Sequence, residues 1–153
     1  MKTILAPIDF SEVSGGVVTA ASNLAHALHG RVVLLTVVQP PVITSEYAPM
    51  MENLSEIIAA GDKTAGKNLT KIAEQLQSES IPAETVQLDG APVAHIIEQA
   101  QQCAADYIVM GSHGHSAVYD LLVGSTTHGV LRRARCPVLI VPPPKKKAER
   151  TRK

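Results

Sequence analysis

At 153 residues with 45% hydrophobic content, the chain carries enough apolar material for one domain with a substantial core and is short for two. Aromatics are only 3% and Trp is absent, so the core falls to Val, Ile, Leu and Ala, a palette suited to aliphatic strands covered by Ala/Leu-faced helices. The zero formal charge divides unevenly: Lys145, Lys146, Lys147, Arg150, Arg152 and Lys153 against Glu149 leave residues 145–153 at +5 and residues 1–144 at −5, and an acidic body argues against nucleic acid as its main ligand.

No apolar run approaches the roughly 18 residues of a membrane span. The N-terminus lacks a basic segment leading into an apolar stretch and cleavage site, so the expected location is cytoplasmic. Cys103 and Cys136 have no metal-ligand spacing and read as buried free thiols.

Thr3 to Ile8 is a short apolar run suited to a central strand, with Pro7 at its end because proline cannot donate to a ladder. Asp9-Phe10-Ser11 then turns the chain. Ser11 is the expected N-cap of a helix over about 12–29, on which Val13, Val17, Ala20, Ala21, Leu24 and Leu28 recur at helical spacing up to Gly30. Arg31 to Val38 is a second buried strand, closed by Gln39-Pro40-Pro41, and the pair forms a right-handed βαβ unit. Residues 42–50 show no period and read as a loop.

Leu54, Ile58, Ala65, Leu69, Ile72 and Leu76 trace one face of a long helix over about 51–79. Glu84-Thr85-Val86-Gln87-Leu88 alternates in polarity, which predicts a third strand at a sheet edge. Pro92 opens a further helix carrying Val93, Ile96, Ile97 and Ala100. Tyr107 to Met110 is the fourth strand, Ser125 to about Arg133 a short helix, and Val138 to Val141 the fifth strand. Arg132, Arg133 and Arg135 sit where cations meet the negative end of a helix dipole. Residues 143–153, opening on prolines, read as a basic, disordered tail on a domain of residues 1–142.

The most specific pattern lies after the fourth strand. Gly111, two residues, Gly114, nine residues, then Gly124 and Ser125 make a strand, a glycine-rich loop and a helix start. Glycines let backbone N–H groups approach an anion, and a helix N-terminus adds unpaired N–H groups and a positive dipole end. Gly111, Ser112, His113, Gly114, His115 and Ser116 would offer N–H groups to phosphates, and Ser125, Thr126 and Thr127 would add hydroxyls. The spacing is neither G-x-G-x-x-G nor the Walker form.

Together with Pro7-Ile8-Asp9-Phe10-Ser11, Leu35-Thr36-Val37 and Pro137-Val138-Leu139-Ile140-Val141, this loop resembles the ATP-binding subgroup of the universal stress protein family, over about residues 1 to 142. The resemblance implies a Rossmann-like α/β fold: one open five-stranded parallel sheet, order 3-2-1-4-5, with helices on both faces. Winding then reverses between strands one and four, the place where open α/β sheets take ligands. It implies ATP, or ADP or AMP, as ligand, with Mg²⁺ held through the nucleotide phosphates. Asp9 would lie at the ribose or phosphate end, Pro7 beside the base, and Val37 against adenine through backbone groups, with Met110 nearby. One departure is Ile8, where the family often has Thr or a small residue. The resemblance also implies a homodimer paired through the last strand, Cys136 to Val141, and an unidentified regulatory protein partner.

Other readings stand beside this one. Ser14-Gly15-Gly16 brings to mind the loop of adenylating ATP pyrophosphatases, but Val17-Val18-Thr19 follow and the residues fall within a helical pattern. His113, His115 and His128 lack the carboxylate or Cys company of a zinc site. Up to residue 131 the fixed cations are Lys2, Arg31, Lys63, Lys67 and Lys71, none in the predicted loops, so the expectation is occupancy rather than turnover. A weak ATPase or nucleotidyl transferase, and a nucleotide-independent dimeric module, remain the alternatives.

Overall fold

The computed structural model describes residues 1–40, 53–115 and 123–145. In chain order they form β1 (Thr3–Pro7), α1 (Ser14–Leu28), β2 (Arg31–Val38), α2 (Leu54–Ser78), β3 (Ala83–Asp89), α3 (Pro92–Gln102), β4 (Tyr107–Gly111), α4 (Ser125–Arg133) and β5 (Val138–Val141). The strands make one parallel sheet in the order β3-β2-β1-β4-β5, as expected.

Alternation along the strands sorts the core into two layers. Ile4, Ala6, Val32, Leu34 and Val109 face Val17, Ala21 and Ala25 of α1 and Leu69, Ala73 and Leu76 of α2. Leu5, Val33, Leu35, Ile108 and Met110 face Ile96 and Ile97 of α3 and Val130 of α4. Strands buried on both sides must be apolar throughout, which is why β1, β2 and β4 read as unbroken aliphatic runs. Each of the larger aliphatic side chains contributes about 1.5–3 kcal/mol on burial. Polar positions Glu84 and Gln87 survive on β3 because it pairs with β2 alone.

Two local details differ from expectation. Helix α1 starts at Ser14, not after a Ser11 cap; its N-cap is Val13, with no side-chain capping bond. The cause is Asp9, whose Oδ1 accepts from the Ser11 N–H (3.0 Å) and the Ser14 hydroxyl (3.2 Å) and so holds the intervening residues in a turn. At the other end, the left-handed residue is His29 (φ 50), one before the glycine. Gly30 is required for space instead: a Cβ there would lie 2.7 Å from the Lys2 carbonyl oxygen and 2.9 Å from Ile4 Cδ1. Its N–H closes the helix on the Ala25 carbonyl at 2.8 Å.

The chain start is pinned to β4. Lys2 Nζ donates to Asp106 Oδ1 and the Thr3 N–H to Oδ2, both at 2.8 Å. The Lys2 bond, then the Thr3 bond, hold the Asp106 carboxyl below its ordinary range. Cys103 and Cys136 are free and half-buried, and burial pushes both thiols up.

Candidate functional site

All strands of a parallel sheet end on the same side, and the β1 and β4 ends diverge because their following helices cover opposite faces. The gap is a cleft of about 500 Å³. Of the residues singled out in the sequence, Pro7, Asp9, Val37, Met110, Gly111, His113, Gly114, His115, Gly124, Ser125, Thr126 and Thr127 line it. Ser112 does not: it is 5% exposed, its N–H donates to the Val141 carbonyl (2.8 Å) and its carbonyl accepts from the Gly124 N–H (2.7 Å). Its role is to splice the loop to β5 and α4. Ser116 lies outside the described residues.

Motifs about a hundred residues apart therefore meet. His115 Nε2 lies 2.6 Å from the Asp9 carbonyl oxygen, and Gly114 packs so closely on Asp9 Oδ2 that a Cβ would overlap it. A Cβ on Gly111 would stand 2.5 Å from Val13 Cγ1. These two glycines are needed for close approach. Gly124 is different, with extended backbone (φ −72, ψ 169) and ordinary contact distances of 3.5 and 3.6 Å for an added Cβ. Nothing in the fold demands glycine there, yet its side-chain position opens on the cleft.

At the anion end, α4 begins at Ser125 with no side chain bonded to its first turn. Its first N–H groups have no intrahelical partner, and the positive dipole end faces the cleft. The expected hydroxyl set is trimmed by one. Thr127 Oγ1 donates to the Gly111 carbonyl at 2.7 Å, so its hydroxyl ties α4 to β4 and its backbone is what it offers a ligand.

At the other end, the ladder between β1 and β2 stops where the Ile8 N–H donates to the Leu35 carbonyl (2.7 Å). Backbone groups alternate sides along a strand, so the N–H and carbonyl of Val37 point the same way as those of Leu35, beyond the last rung. They present one donor and one acceptor to the cleft. Apolar surface from Pro7, Pro92, Ile96 and Met110 surrounds them. Sequence reasoning missed Pro92 and Ile96, along with Phe10, Ser14, Thr36 and Ala65. The signal for the first two was topological, since α3 begins at the same sheet end as the glycine loop.

Asp9 is the one fixed charge among the described lining residues, which include no Lys or Arg. Charge stabilisation of an anion would rest on N–H groups, the α4 dipole, His113 and His115. No group of three or more His, Cys, Asp or Glu side chains among the described residues is arranged to hold a metal ion. His128 is exposed and outside the cleft lining. No described helix is long and apolar enough to cross a membrane.

Comparison with known proteins gives consistent results. The sequence profile of the universal stress protein family matches residues 1–142. Universal stress protein MJ0531 of Methanocaldococcus jannaschii is 34% identical over 146 residues, spanning 95% of this chain and 84% of that protein. Among solved structures, universal stress protein UspA from Lactobacillus plantarum superposes with a TM-score of 0.79 at 27% identity, covering 92% of this chain and 97% of the other. A universal stress protein crystallised in complex with cAMP gives 0.64 at 25% identity, covering 94% and 98%.

Proposed function

The chain belongs to the universal stress protein family, and from that premise we propose that it binds ATP in the cleft between β1 and β4 and acts by occupancy. The nucleotide orders the glycine loop and changes what the protein binds. The observation that carries this reading is the convergence of Asp9 and the Gly111–Gly114 loop over the uncapped first turn of α4. The relative crystallised with cAMP supports an adenine nucleotide as the ligand class.

In this arrangement the base stacks among Pro7, Met110 and Ile96, with its polar edge on the Val37 backbone. The phosphates lie against Gly111, Gly114, Gly124 and the first turn of α4. An anion this close to Asp9 would be repelled unless a cation intervened. Asp9 is suited to hold one, because Oδ1 is engaged by Ser11 and Ser14, which leaves Oδ2 toward Gly114 and the cleft. Mg²⁺ held mainly by the phosphates would sit there, with Asp9 acting directly or through a bound water.

The protein is further proposed to work as a homodimer joined through β5. That strand pairs with β4 on one side only, and Leu139, 44% exposed, sits on it. An apolar edge strand of this kind is a template for pairing with its own copy.

Calorimetric titration with ATP and Mg²⁺ tests the ligand. The intact chain is expected to bind with micromolar affinity or better, about −8 kcal/mol. Gly124→Glu, whose carboxylate opposes the phosphates, is expected to abolish the heat. Absence of binding by the intact chain at two temperatures would refute the proposal and favour a nucleotide-independent module.

A further inference from the structure

Among the described residues, those both polar and buried are Thr3, Ser14, Thr36, Ser112 and Thr127. Thr3 Oγ1 accepts from Arg31 Nε at 3.1 Å, and Ser14 Oγ donates to Asp9 at 3.2 Å. Ser112 Oγ meets His113 Nδ1 at 3.1 Å, and Thr127 Oγ1 donates to Gly111 at 2.7 Å. The Thr36 hydroxyl, on a residue only 4% exposed, has no hydrogen-bond partner among the described residues. It is nevertheless not sealed in protein. The described side-chain atoms that are both closed to solvent and unpaired are Ser11 Oγ and Asp62 Oδ1, and Thr36 is not among them. Because Thr36 lines the cleft, the accessible part of its hydroxyl opens there.

A valine of the same shape would suit a buried strand better, since an unpaired hydroxyl is a liability that a ligand can remove. Its location says which ligand atom. Thr36 directly precedes Val37, whose N–H and carbonyl emerge beyond the end of β1. The tip of β2 therefore offers a donor, an acceptor and an adjacent free hydroxyl. A 6-aminopurine edge carries a ring nitrogen that accepts and an exocyclic amine with two hydrogens to donate. Val37 can satisfy the ring nitrogen and one amine hydrogen, and the second hydrogen needs another acceptor.

We propose that Thr36 is a specificity-determining contact whose hydroxyl accepts that second amine hydrogen, so that the cleft selects 6-amino over 6-oxo purines. This rests on the nucleotide-binding reading above. Discrimination arises because a 6-oxo group presents a lone pair where Thr36 and the Val37 carbonyl expect hydrogens.

The test uses the full chain and its Thr36→Val and Thr36→Ser variants, titrated with ATP and with inosine triphosphate. Thr36→Val is expected to bind ATP ~3- to 10-fold more weakly, the range for one neutral hydrogen bond. Its inosine triphosphate affinity should stay within about twofold of the wild type, and Thr36→Ser should restore ATP affinity. Unliganded Thr36→Val should melt no lower than the wild type, since no native partner is lost. Equal losses for both nucleotides, unchanged ATP affinity, or a lowered melting point would each overturn the assignment. Unchanged ATP affinity in the variant beside a wild type that binds removes only the Thr36 contact; a wild type that binds no ATP removes the nucleotide site itself.

Discussion

Alanine at Gly111 and alanine at Gly124 separate a glycine kept for the fold from one kept for the ligand. A Cβ at Gly111 would stand 2.5 Å from Val13 Cγ1 and 3.1 Å from the His113 carbonyl oxygen. One obstacle is a buried side chain at the start of α1 and the other is backbone, so neither yields freely. Overpacking of this kind costs about 1–3 kcal/mol, which for a domain of this size lowers Tm by about 2–4 °C per kcal/mol. At Gly124 the backbone is already extended and the added methyl would touch Ser112 and His113 at 3.5 and 3.6 Å, ordinary contact. Exchanging glycine for alanine at a helix N-cap costs only about 0.5 kcal/mol, so Tm should fall by no more than about 2 °C. The methyl would, however, stand between the phosphates and the N–H groups of Ser125 and Thr126. About tenfold weaker ATP binding is expected, equivalent to about 1.4 kcal/mol. Scanning calorimetry of the unliganded variants and titration with ATP and Mg²⁺ measure the two quantities separately. Gly124→Ala melting as low as Gly111→Ala, or keeping wild-type affinity, would refute the division.

Acid stability and assembly give two further outcomes. Asp106 has its folded carboxyl held below the ordinary range by Lys2 and the Thr3 N–H, so its contribution is present above the unfolded carboxyl value and is lost as pH falls through the folded one. Asp106→Asn should therefore flatten the acid limb of stability, read as urea midpoints from about pH 7 down to about pH 2; an unchanged acid limb would contradict it. Leu139→Glu places a charge on the exposed edge of β5, and sedimentation equilibrium should then find monomer where the wild type is dimeric, with ATP affinity retained. A variant that stays dimeric would move the interface elsewhere.

The fold was legible because its signals are local and redundant. Aliphatic runs in β1, β2 and β4 exclude half-solvated strands, the alternation of β3 marks an edge, and helical spacing gives the three longer helices within a few residues. What failed is instructive in the same terms. Ser11 has the right residue type for an N-cap, but Asp9 two residues earlier competes for the same backbone and wins. Gly30 has the residue type of a left-handed stop, whereas His29 takes that conformation and Gly30 answers to Lys2, a neighbour no local pattern names.

The site divides along a similar line. Glycine spacing reveals a phosphate loop because the chemistry there is carried by backbone, and backbone exposure is encoded by the absence of side chains. The resemblance in turn located Asp9 opposite that loop. Neither signal could tell that Thr127 spends its hydroxyl on Gly111, or that Thr36 keeps its own free, since both are threonines in buried surroundings and differ only in whether a carbonyl lies within reach. A hydroxyl's role is settled by its partners rather than its spacing. The unpaired one at the tip of β2 is therefore where the structure adds most to the sequence: it turns a cleft suited to nucleotides in general into one with a stated preference for the amino group of adenine.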